Sequence, residues 1–212
     1  FSLLDENNQS LDLQSNGEST FASVKLNPLS FTTIKKGKKT KLRNNKNDDL
    51  ILENKLIRYE FNKDGQLISA YDKVLDKEFL LEAGNILSLY EDRPNNWDAW
   101  DVDFFYREAL IETATISRAE SLSTGKVFDQ LKLSFTIGKS NIQQVVSLNS
   151  HSKRIDFQTT VEWKEKHKML RVHFPVNIRT DQASFDIQYG YVKRNTHRNT
   201  SWDRAKFEVV GH

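Results

Sequence analysis

Residues 131–137 read Leu-Lys-Leu-Ser-Phe-Thr-Ile, so an apolar side chain alternates with a polar one along the whole stretch. A period of two places successive side chains on opposite faces of a β-strand, one face toward a core and the other toward water. The same alternation predicts further strands at three sets of apolar residues: Ile155, Phe157, Val161 and Trp163; Leu170, Val172, Phe174 and Val176; Phe185, Ile187, Tyr189 and Tyr191. No window of helical length keeps a 3.6-residue period, so we expect few and short helices.

Turn-forming residues separate these strands. Between Phe61 and Leu67 the chain reads Asn-Lys-Asp-Gly-Gln, and its glycine can take a positive φ, which predicts an early hairpin. Strands at short intervals without helical segments between them favour an all-β fold of antiparallel sheets packed as a β-sandwich.

The composition limits the class of protein. The chain has 212 residues, of which 37% are hydrophobic and 28% charged, as in ordinary globular proteins. The lack of cysteine excludes a disulfide framework and cysteine-based zinc sites, and it fits a reducing compartment. No apolar run approaches the length of a membrane span. The five histidines lack ligand spacing and no Gly-rich phosphate loop is present, so we expect neither a metal site nor nucleotide chemistry in this chain.

The net charge of +2 averages one basic window and an acidic remainder. A window of 12 residues without acids contains seven of the 31 bases, so 24 bases face the 29 acids elsewhere; the seven are Lys35, Lys36, Lys38, Lys39, Lys41, Arg43 and Lys46. Such a run either binds a polyanion by displacing counterions or forms a solvated connector. No aromatic stacking residue interleaves the run, which favours the connector, and we expect no nucleic-acid partner.

This window also suggests a domain boundary. We expect residues 1–46 to form a small leading β-segment, with a strand around Phe21 to Ile34, followed by the basic connector, and residues 47–212 to form the β-sandwich. The leading segment is too short for a substantial core, so it should pack on the sandwich or on a neighbour outside this sequence. Because the first residue is Phe1 rather than Met, we expect a section of a longer chain.

Aromatic and acidic residues are densest in residues 90–108, which contain two of the four tryptophans. Ring faces can stack on a pyranose while carboxylates accept hydrogen bonds from its hydroxyls, and paired carboxylates also carry out glycoside hydrolysis. The alternative is that the rings are core anchors and the acids cap turns or pair with Arg93 and Arg107. In an extended strand, Asp101 and Asp103 would share a face. The candidate residues here are Trp97, Asp98, Trp100, Asp101 and Asp103.

Residues 189–208 form the second dense segment, in which a strand leads into a polar loop, the usual setting for a binding site. Ser201, His197 and Asp203 are the ingredients of a nucleophilic triad, but they crowd within seven residues and lack a nucleophile elbow, so we expect no triad. The loop either holds an anion or sugar hydroxyls, or satisfies its own backbone. The candidate residues are Arg194, His197, Arg198, Asn199, Trp202 and Asp203.

Four blocks of sequence, in order, carry a family resemblance. They are residues 51–58, the block 91–101 with its Trp-Asp-Ala-Trp-Asp run, residues 161–176, and residues 196–203 followed by Phe-Glu-Val at 207–209. From about residue 51 to 212 the chain resembles the C-terminal β-domain of the α-mannosidases of glycoside hydrolase family 38, and the Trp-Asp-Ala-Trp-Asp run is most similar to the bacterial and cytosolic branch. Two departures leave fine specificity open: Asn195 stands where the family usually has proline, and Glu162 where it usually has aspartate.

The resemblance implies a supersandwich of the galactose-mutarotase-like type and an enzyme that removes terminal α-linked mannose with retention. It further implies a covalent glycosyl intermediate on an aspartate and a divalent metal, usually zinc, that binds sugar hydroxyls. These groups belong to the family's N-terminal catalytic domain and nothing in this sequence matches them, so this chain should supply no catalytic residue and no metal ligand.

The implied partners are the catalytic domain of the same polypeptide and a mannose-containing oligosaccharide or glycoside, with a homo-oligomer of the full enzyme left open. The implied location is the cytoplasm, in agreement with the lack of cysteine. Because the family domain continues past the motif that ends the sequence, the chain should be truncated there. A stand-alone carbohydrate-binding module, which rests on the same aromatic residues, is the alternative.

Overall fold

The computed structural model describes residues 2–38, 42, 45–46, 49–97 and 102–205. This part of the chain is built almost entirely of strands, with a 3₁₀ helix at Phe104–Glu108 and one short α-helix, α1, at Ser201–Ala205. The strands are β1 (Leu3–Leu4), β2 (Leu13–Ser15), β3 (Thr20–Ala22), β4 (Lys35–Lys36), β5 (Ile51–Glu53), β6 (Ile57–Phe61), β7 (Leu67–Asp72), β8 (Lys77–Glu78), β9 (Ile86–Glu91), β10 (Leu110–Thr113), β11 (Thr115–Ser123), β12 (Phe128–Ile137), β13 (Ser140–Asn149), β14 (Ile155–Glu162), β15 (Lys168–His173), β16 (Gln182–Ile187) and β17 (Gly190–Asn195).

Two four-stranded sheets form the body of the fold, in the orders β5-β6-β7-β8 and β11-β12-β13-β14. A three-stranded sheet, β10-β9-β15, adjoins them, and the pairs β1–β4, β2–β3 and β16–β17 complete the described strands. Every pairing among them is antiparallel. The predicted all-β class, antiparallel sheets and short helices are therefore confirmed.

The alternating stretch 131–137 lies in the centre of the second sheet, as part of β12. Its four apolar residues are each at most 3% exposed, and Phe135 and Leu131 stand opposite the fully buried Ile142 and Val146 of β13. Full burial of one such side chain contributes about 1.5–3 kcal/mol to folding. The same buried cluster includes Leu52 of β5, residues of β6 and β7, and Leu89 of β9, so one core serves all three sheets.

The predicted hairpin at residues 62–66 joins β6 to β7 and is confirmed. Gly65 has a φ of +74°, and its N–H donates to the carbonyl of Asn62 at 3.1 Å. The Asn62 Oδ1 accepts the backbone N–H of both Asp64 and Gln66 at 3.0 Å, so one side chain organises the turn.

A polar contact ties the first sheet to the turn between β13 and β14. The buried Asp72 carboxylate accepts Lys153 Nζ at 2.6 Å and the backbone N–H groups of Val74 and Leu75. These hydrogen bonds, that from Lys153 first, hold the pKa of Asp72 below its ordinary value. The hydroxyl of Tyr59 donates to the carbonyl of Lys153 at 2.6 Å, and burial, with the charge of Asp72 second, raises its pKa to about 12.

The leading segment rests on the sandwich through Gln14. This buried amide of β2 donates to the Ser123 hydroxyl at 2.9 Å and the Phe128 carbonyl at 2.6 Å, and its oxygen accepts the N–H groups of Val127 and Phe128. The ring of Phe21 on β3 meets that of Phe128 edge to face at 5.0 Å. We predicted that this segment packs on the sandwich or on a neighbour outside this sequence, and these contacts are with the sandwich.

Two predicted strands differ from the structure. The strand expected around Phe21 to Ile34 ends at Ala22. Farther on, Pro28 has no N–H to donate and Leu29 has a φ of +54°, so the stretch up to Ile34 cannot form one continuous strand. The alternating set from Phe185 to Tyr191 is a hairpin, β16–β17, rather than one strand. Its two-residue turn places Tyr189 at a φ of +64°, where the side chain is fully exposed.

We predict that Gln14→Leu lowers the free energy of unfolding by about 2 kcal/mol, because it leaves buried backbone groups of the β11–β12 turn without partners. Urea titration measures this change, and limited proteolysis should show faster cleavage within residues 1–46. The matched control is Gln9→Leu, at an exposed position whose backbone makes the local hydrogen bonds. Equal stability of the two variants would contradict the role of Gln14.

Candidate functional site

The first candidate segment is a loop that leaves the sheet at the end of β9. Arg93 pairs with Glu91 across a Nε–Oε1 distance of 2.8 Å, as one predicted alternative had it. Asp103 Oδ2 accepts the backbone N–H of Asn95 at 2.7 Å and so closes the loop just before the 3₁₀ helix. Asp103 is half-buried and engaged with the backbone, so it holds the loop's shape.

Trp97 lies within this closed loop. Its side chain is 74% exposed, so the ring is not a core anchor. Its backbone has a φ of +61°, in the left-handed region that tryptophan rarely adopts. Asp98, Trp100 and Asp101 lie outside the described residues, so the shared face expected for Asp101 and Asp103 stays a prediction.

The 3₁₀ helix that follows this loop contributes a buried aromatic residue, Tyr106. Its side chain is 5% exposed, and its ring meets that of Tyr90 edge to face, with centroids 5.3 Å apart. The guanidinium of Arg171 lies 4.9 Å from the centroid of the Tyr106 ring and donates a hydrogen bond to its hydroxyl. The Arg171 guanidinium and the Tyr90 ring therefore hold the middle of the 3₁₀ helix, through Tyr106, on the β9–β15 pair.

His173 completes this cluster. Its Nε2 lies 3.3 Å from the Tyr90 hydroxyl, and the two rings are tilted against each other at 6.1 Å. Burial, followed by the charges of Arg171 and Arg107, holds the pKa of His173 below its ordinary value of 6.5. The imidazole is therefore neutral near pH 7, able to accept or donate one hydrogen bond.

The roles of Tyr90, Tyr106, Arg171 and His173 were not predicted from the sequence. One signal was available: if Leu170 and Val172 face the core, the residues that alternate with them share the opposite face. The pairing of β15 with β9 places Arg171 opposite Ser88 and His173 opposite Ile86, on the face of Tyr90. That pairing joins strands about 80 residues apart and has no local signature.

The second candidate segment follows β17 and is organised by Asp203. The Thr200 hydroxyl donates to Asp203 Oδ2 at 2.7 Å, and the Asp203 N–H donates back to that hydroxyl at 3.1 Å, a pattern that caps α1. Asn195 Nδ2 donates to Oδ1 at 3.4 Å, and His197 Nδ1 lies 3.5 Å from Oδ2. The hydrogen bond from Thr200 is the main cause that lowers the pKa of Asp203. Asp203 is thus engaged by groups of the loop itself, whereas the buried Nδ1 of His197 makes no hydrogen bond among the described residues. The choice between the two predicted alternatives for this loop stays a prediction.

Three of the remaining candidates of this segment are exposed. Trp202 is 76% exposed, and Arg198 and Asn199 are also exposed. The guanidinium of Arg194 lies 5.8 Å from the Phe185 ring centroid, across the β16–β17 hairpin. The contacts described above therefore stay within each candidate segment and the strands next to it, β9 and β15 for the first segment and β16 and β17 for the second.

A cleft of about 620 Å³ opens elsewhere, between the edges of the two main sheets. Its apolar lining includes Phe61 and Ile116, and Lys63 and Arg118 lie at its rim. None of the predicted site residues lines it.

Among the residues that the structure describes, no group of three or more His, Asp or Glu side chains is arranged to hold a metal ion. Within the same ranges, neither helix is long and apolar enough to cross a membrane.

Comparison with known proteins identifies the family. Residues 52–212 match the model described as the glycosyl hydrolases family 38 C-terminal domain. The chain belongs to this family. It is 34% identical over 177 residues to α-mannosidase G of Dictyostelium discoideum, a match that covers 80% of this chain and 16% of that protein. It is 36% identical over 168 residues to α-mannosidase 2C1 of Homo sapiens (76% and 16%) and 37% identical over 165 residues to an α-mannosidase of Saccharomyces cerevisiae (71% and 15%).

The family 38 fold is also seen among solved structures. The chain superposes on the crystal structure of an α-mannosidase from Enterococcus faecalis V583 with a TM-score of 0.73 and 14% identity, covering 95% of this chain and 29% of that one. At this identity the likeness concerns the fold alone. The family 38 chain spans about one-sixth of the length of the curated relatives that it matches.

We predict that His173 makes the fold less stable as the pH falls from about 7.5 to about 5.5. Because its folded pKa is lowered, the unfolded chain binds a proton below its ordinary pKa of 6.5 that the folded chain does not, so stability is full above that value and declines below it. His173→Gln should flatten this part of the pH dependence, measured as urea midpoints across the range. His151→Gln, at an exposed turn, is the matched control, and identical slopes for both variants would refute the assignment.

Proposed function

We propose that this chain is part of the C-terminal β-domain of an α-mannosidase that hydrolyses terminal α-mannosyl residues with retention of configuration. The match of residues 52–212 to the family 38 domain carries this proposal, and the relatives that agree over most of the chain all bear the name α-mannosidase. The cytoplasm is the proposed location, supported by the resemblance of the Trp-Asp-Ala-Trp-Asp run to the cytosolic branch and by the lack of cysteine.

In this proposal the reacting groups lie in a catalytic domain of the same polypeptide. A divalent metal, with zinc the expected ion, would bind sugar hydroxyls in that domain. The described residues of this chain do not fit such a metal, because no ligand set converges among them. The sandwich of residues 47–212 would support the catalytic domain, and residues 1–46 would form a separate leading segment.

The loops of this chain would form part of the rim of the sugar site. Trp97 is the clearest candidate for direct contact, because its exposed ring offers a flat apolar surface for the C–H face of a pyranose. Asp103 and Tyr106 would act as positioning residues. Asp103 would hold the loop through its hydrogen bond from the Asn95 N–H, and Tyr106 through its packing on Tyr90. Of the second segment, Arg198, Asn199 and Trp202 face solvent, whereas Asp203 orients the loop.

A stand-alone carbohydrate-binding module is the second candidate function. The exposure of both Trp97 and Trp202 favours it, since exposed rings on a rigid scaffold are what such modules use. Calorimetric titration of the isolated chain with mannosides separates the two functions. A binding module binds on its own, and a supporting domain of an enzyme releases no heat.

We predict that the isolated 212-residue chain does not hydrolyse an aryl α-mannoside when zinc is added, because it supplies none of the reacting groups. The polypeptide encoded by the whole reading frame should hydrolyse the same substrate. Turnover by the isolated chain would contradict this division of labour, and an inactive longer polypeptide would contradict the mannosidase assignment.

We also predict that Trp97→Ala in the longer polypeptide lowers kcat/KM about tenfold through the loss of ring stacking. The melting temperature should stay unchanged, because the side chain is largely exposed. Phe31→Ala, which removes a ring that is 93% exposed from the leading segment, is the matched control and should change neither quantity. An unaltered kcat/KM for Trp97→Ala would remove this residue from the rim.

A further inference from the structure

The sequence contains one Asn-Gly pair, Asn16-Gly17, and it lies in the turn of the β2–β3 hairpin. The side-chain oxygen of Asn16 accepts the backbone N–H of Glu18 at 3.1 Å and that of Ser19 at 2.8 Å. Its Nδ2 has no hydrogen-bond partner in the described part of the chain. Gly17 is exposed, with a φ of +97°, and its N–H donates to Ser15 Oγ at 3.1 Å. The side-chain amide of Asn16 is therefore held by its oxygen alone.

These contacts favour closure of a ring between Asn16 and Gly17. Attack by Gly17 N on Asn16 Cγ places negative charge on Oδ1, where two N–H groups already point, as in an oxyanion hole. Glycine has no side chain that would hinder the approach. The proton of the Gly17 N–H has an acceptor in Ser15 Oγ, from which it can pass to water. The turn thus supplies an electrophile, a nucleophile and a path for the proton.

Two other asparagines, Asn54 and Asn62, show which of these features are specific to Asn16. Oδ1 of Asn54 also accepts the backbone N–H groups two and three residues on, and Oδ1 of Asn62 likewise accepts two backbone N–H groups. A lysine follows each of them, however. Their Nδ2 groups also donate, that of Asn54 to two backbone carbonyls and that of Asn62 to Gln66 Oε1. Of the three, Asn16 alone combines a polarised carbonyl with an unhindered neighbour and an unbound amide nitrogen.

We propose that Asn16 is a site of spontaneous deamidation, which converts it through a succinimide into isoaspartate and aspartate. In the first step the bond from Gly17 N to Asn16 Cγ forms and the Cγ–Nδ2 bond breaks, while Nδ2 takes a proton from water and leaves as ammonia. In the second step water adds to one of the two ring carbonyls and opens the ring. Opening at the main-chain carbonyl gives isoaspartate, and opening at Cγ gives aspartate. Water is the only co-reactant, and the step does not depend on the proposed function.

The position of Asn16 connects this chemistry to the anchoring of the leading segment. Isoaspartate inserts a methylene into the main chain, where the Asn16 N–H donates to the Ser19 carbonyl at 3.2 Å. The hairpin behind this turn places Gln14 opposite Phe21, and these two side chains fasten the segment to the sandwich. A change in the register of the hairpin displaces one of them relative to the other. Isoaspartate therefore loosens residues 1–46, whereas aspartate keeps the main chain and the accepting oxygen in place.

Peptide mapping by mass spectrometry follows the purified polypeptide during incubation at mildly alkaline pH in water labelled with heavy oxygen. The peptide that carries Asn16 should exchange its NH₂ for a labelled OH and divide into two chromatographic species, while the peptides with Asn54 and Asn62 stay unchanged. A synthetic peptide of residues 12–23 gives the rate without the fold, and the folded chain should convert at least as fast. Gly17→Ala should slow conversion roughly tenfold through the added methyl group, which corresponds to about 1.4 kcal/mol on the barrier.

The effect on the leading segment is measured on the two products. The isoaspartate form, separated by chromatography, should be cleaved faster within residues 1–46 by limited proteolysis. Asn16→Asp, which reproduces the other product, is the matched control and should be cleaved like the unmodified chain. Equal cleavage of the isoaspartate form and Asn16→Asp would refute the link between this turn and the anchoring of the segment.

Three results would overturn the deamidation site itself. One is an unchanged Asn16 peptide after prolonged incubation. Another is conversion of Asn54 or Asn62 at the same rate, because the neighbouring glycine and the unbound Nδ2 would then have no influence. The third is slower conversion in the folded chain than in the synthetic peptide, which would contradict the role of the two N–H groups.

Discussion

The apolar layer between the β5–β8 and β11–β14 sheets is the constraint on which the rest of the structure depends. Leu133 and Ile142 of the second sheet meet Leu52 and Ile57 of the first in one buried cluster that also takes in Leu89 of β9. Because β9 contributes Leu87 and Leu89 to the core, the residues that alternate with them, Ser88 and Tyr90, must face the other side of the sheet. The packing of the core therefore sets the orientation of Tyr90 and, through it, of the cluster with Tyr106 and His173.

Much of this fold could be predicted from the sequence, because the period of two in β12 and the turn chemistry around Asn62 are local signals. The candidate site was only partly predictable. The exposure of Trp97 depends on how its loop closes, and the partnership of Tyr90 with His173 depends on the pairing of two distant strands. The alternation that continued through Tyr189 was misleading, because a hairpin turn of two residues preserves the even spacing of the side chains around it.

Buried polar groups mark the places where the sheets must meet in one register. Asn85, at a φ of +56°, donates to the Gly65 carbonyl at 3.0 Å and exchanges hydrogen bonds with the Gln144 amide inside the sandwich. Asp72 likewise links the first sheet to the β13–β14 turn, because its carboxylate accepts a hydrogen bond from Lys153. A slip of either sheet would leave these groups desolvated without partners, whereas the apolar layer alone would tolerate small shifts.

Gln14 behaves toward the β11–β12 turn as a piece of main chain would. Its amide presents one acceptor and one donor to the backbone of Val127 and Phe128, the same complement that a neighbouring strand offers. A single side chain thus closes the end of a hairpin without lengthening the sheet. The leading segment is therefore fastened to this hairpin at separate points, the Gln14 amide and the Phe21 ring, while its described strands pair only with one another.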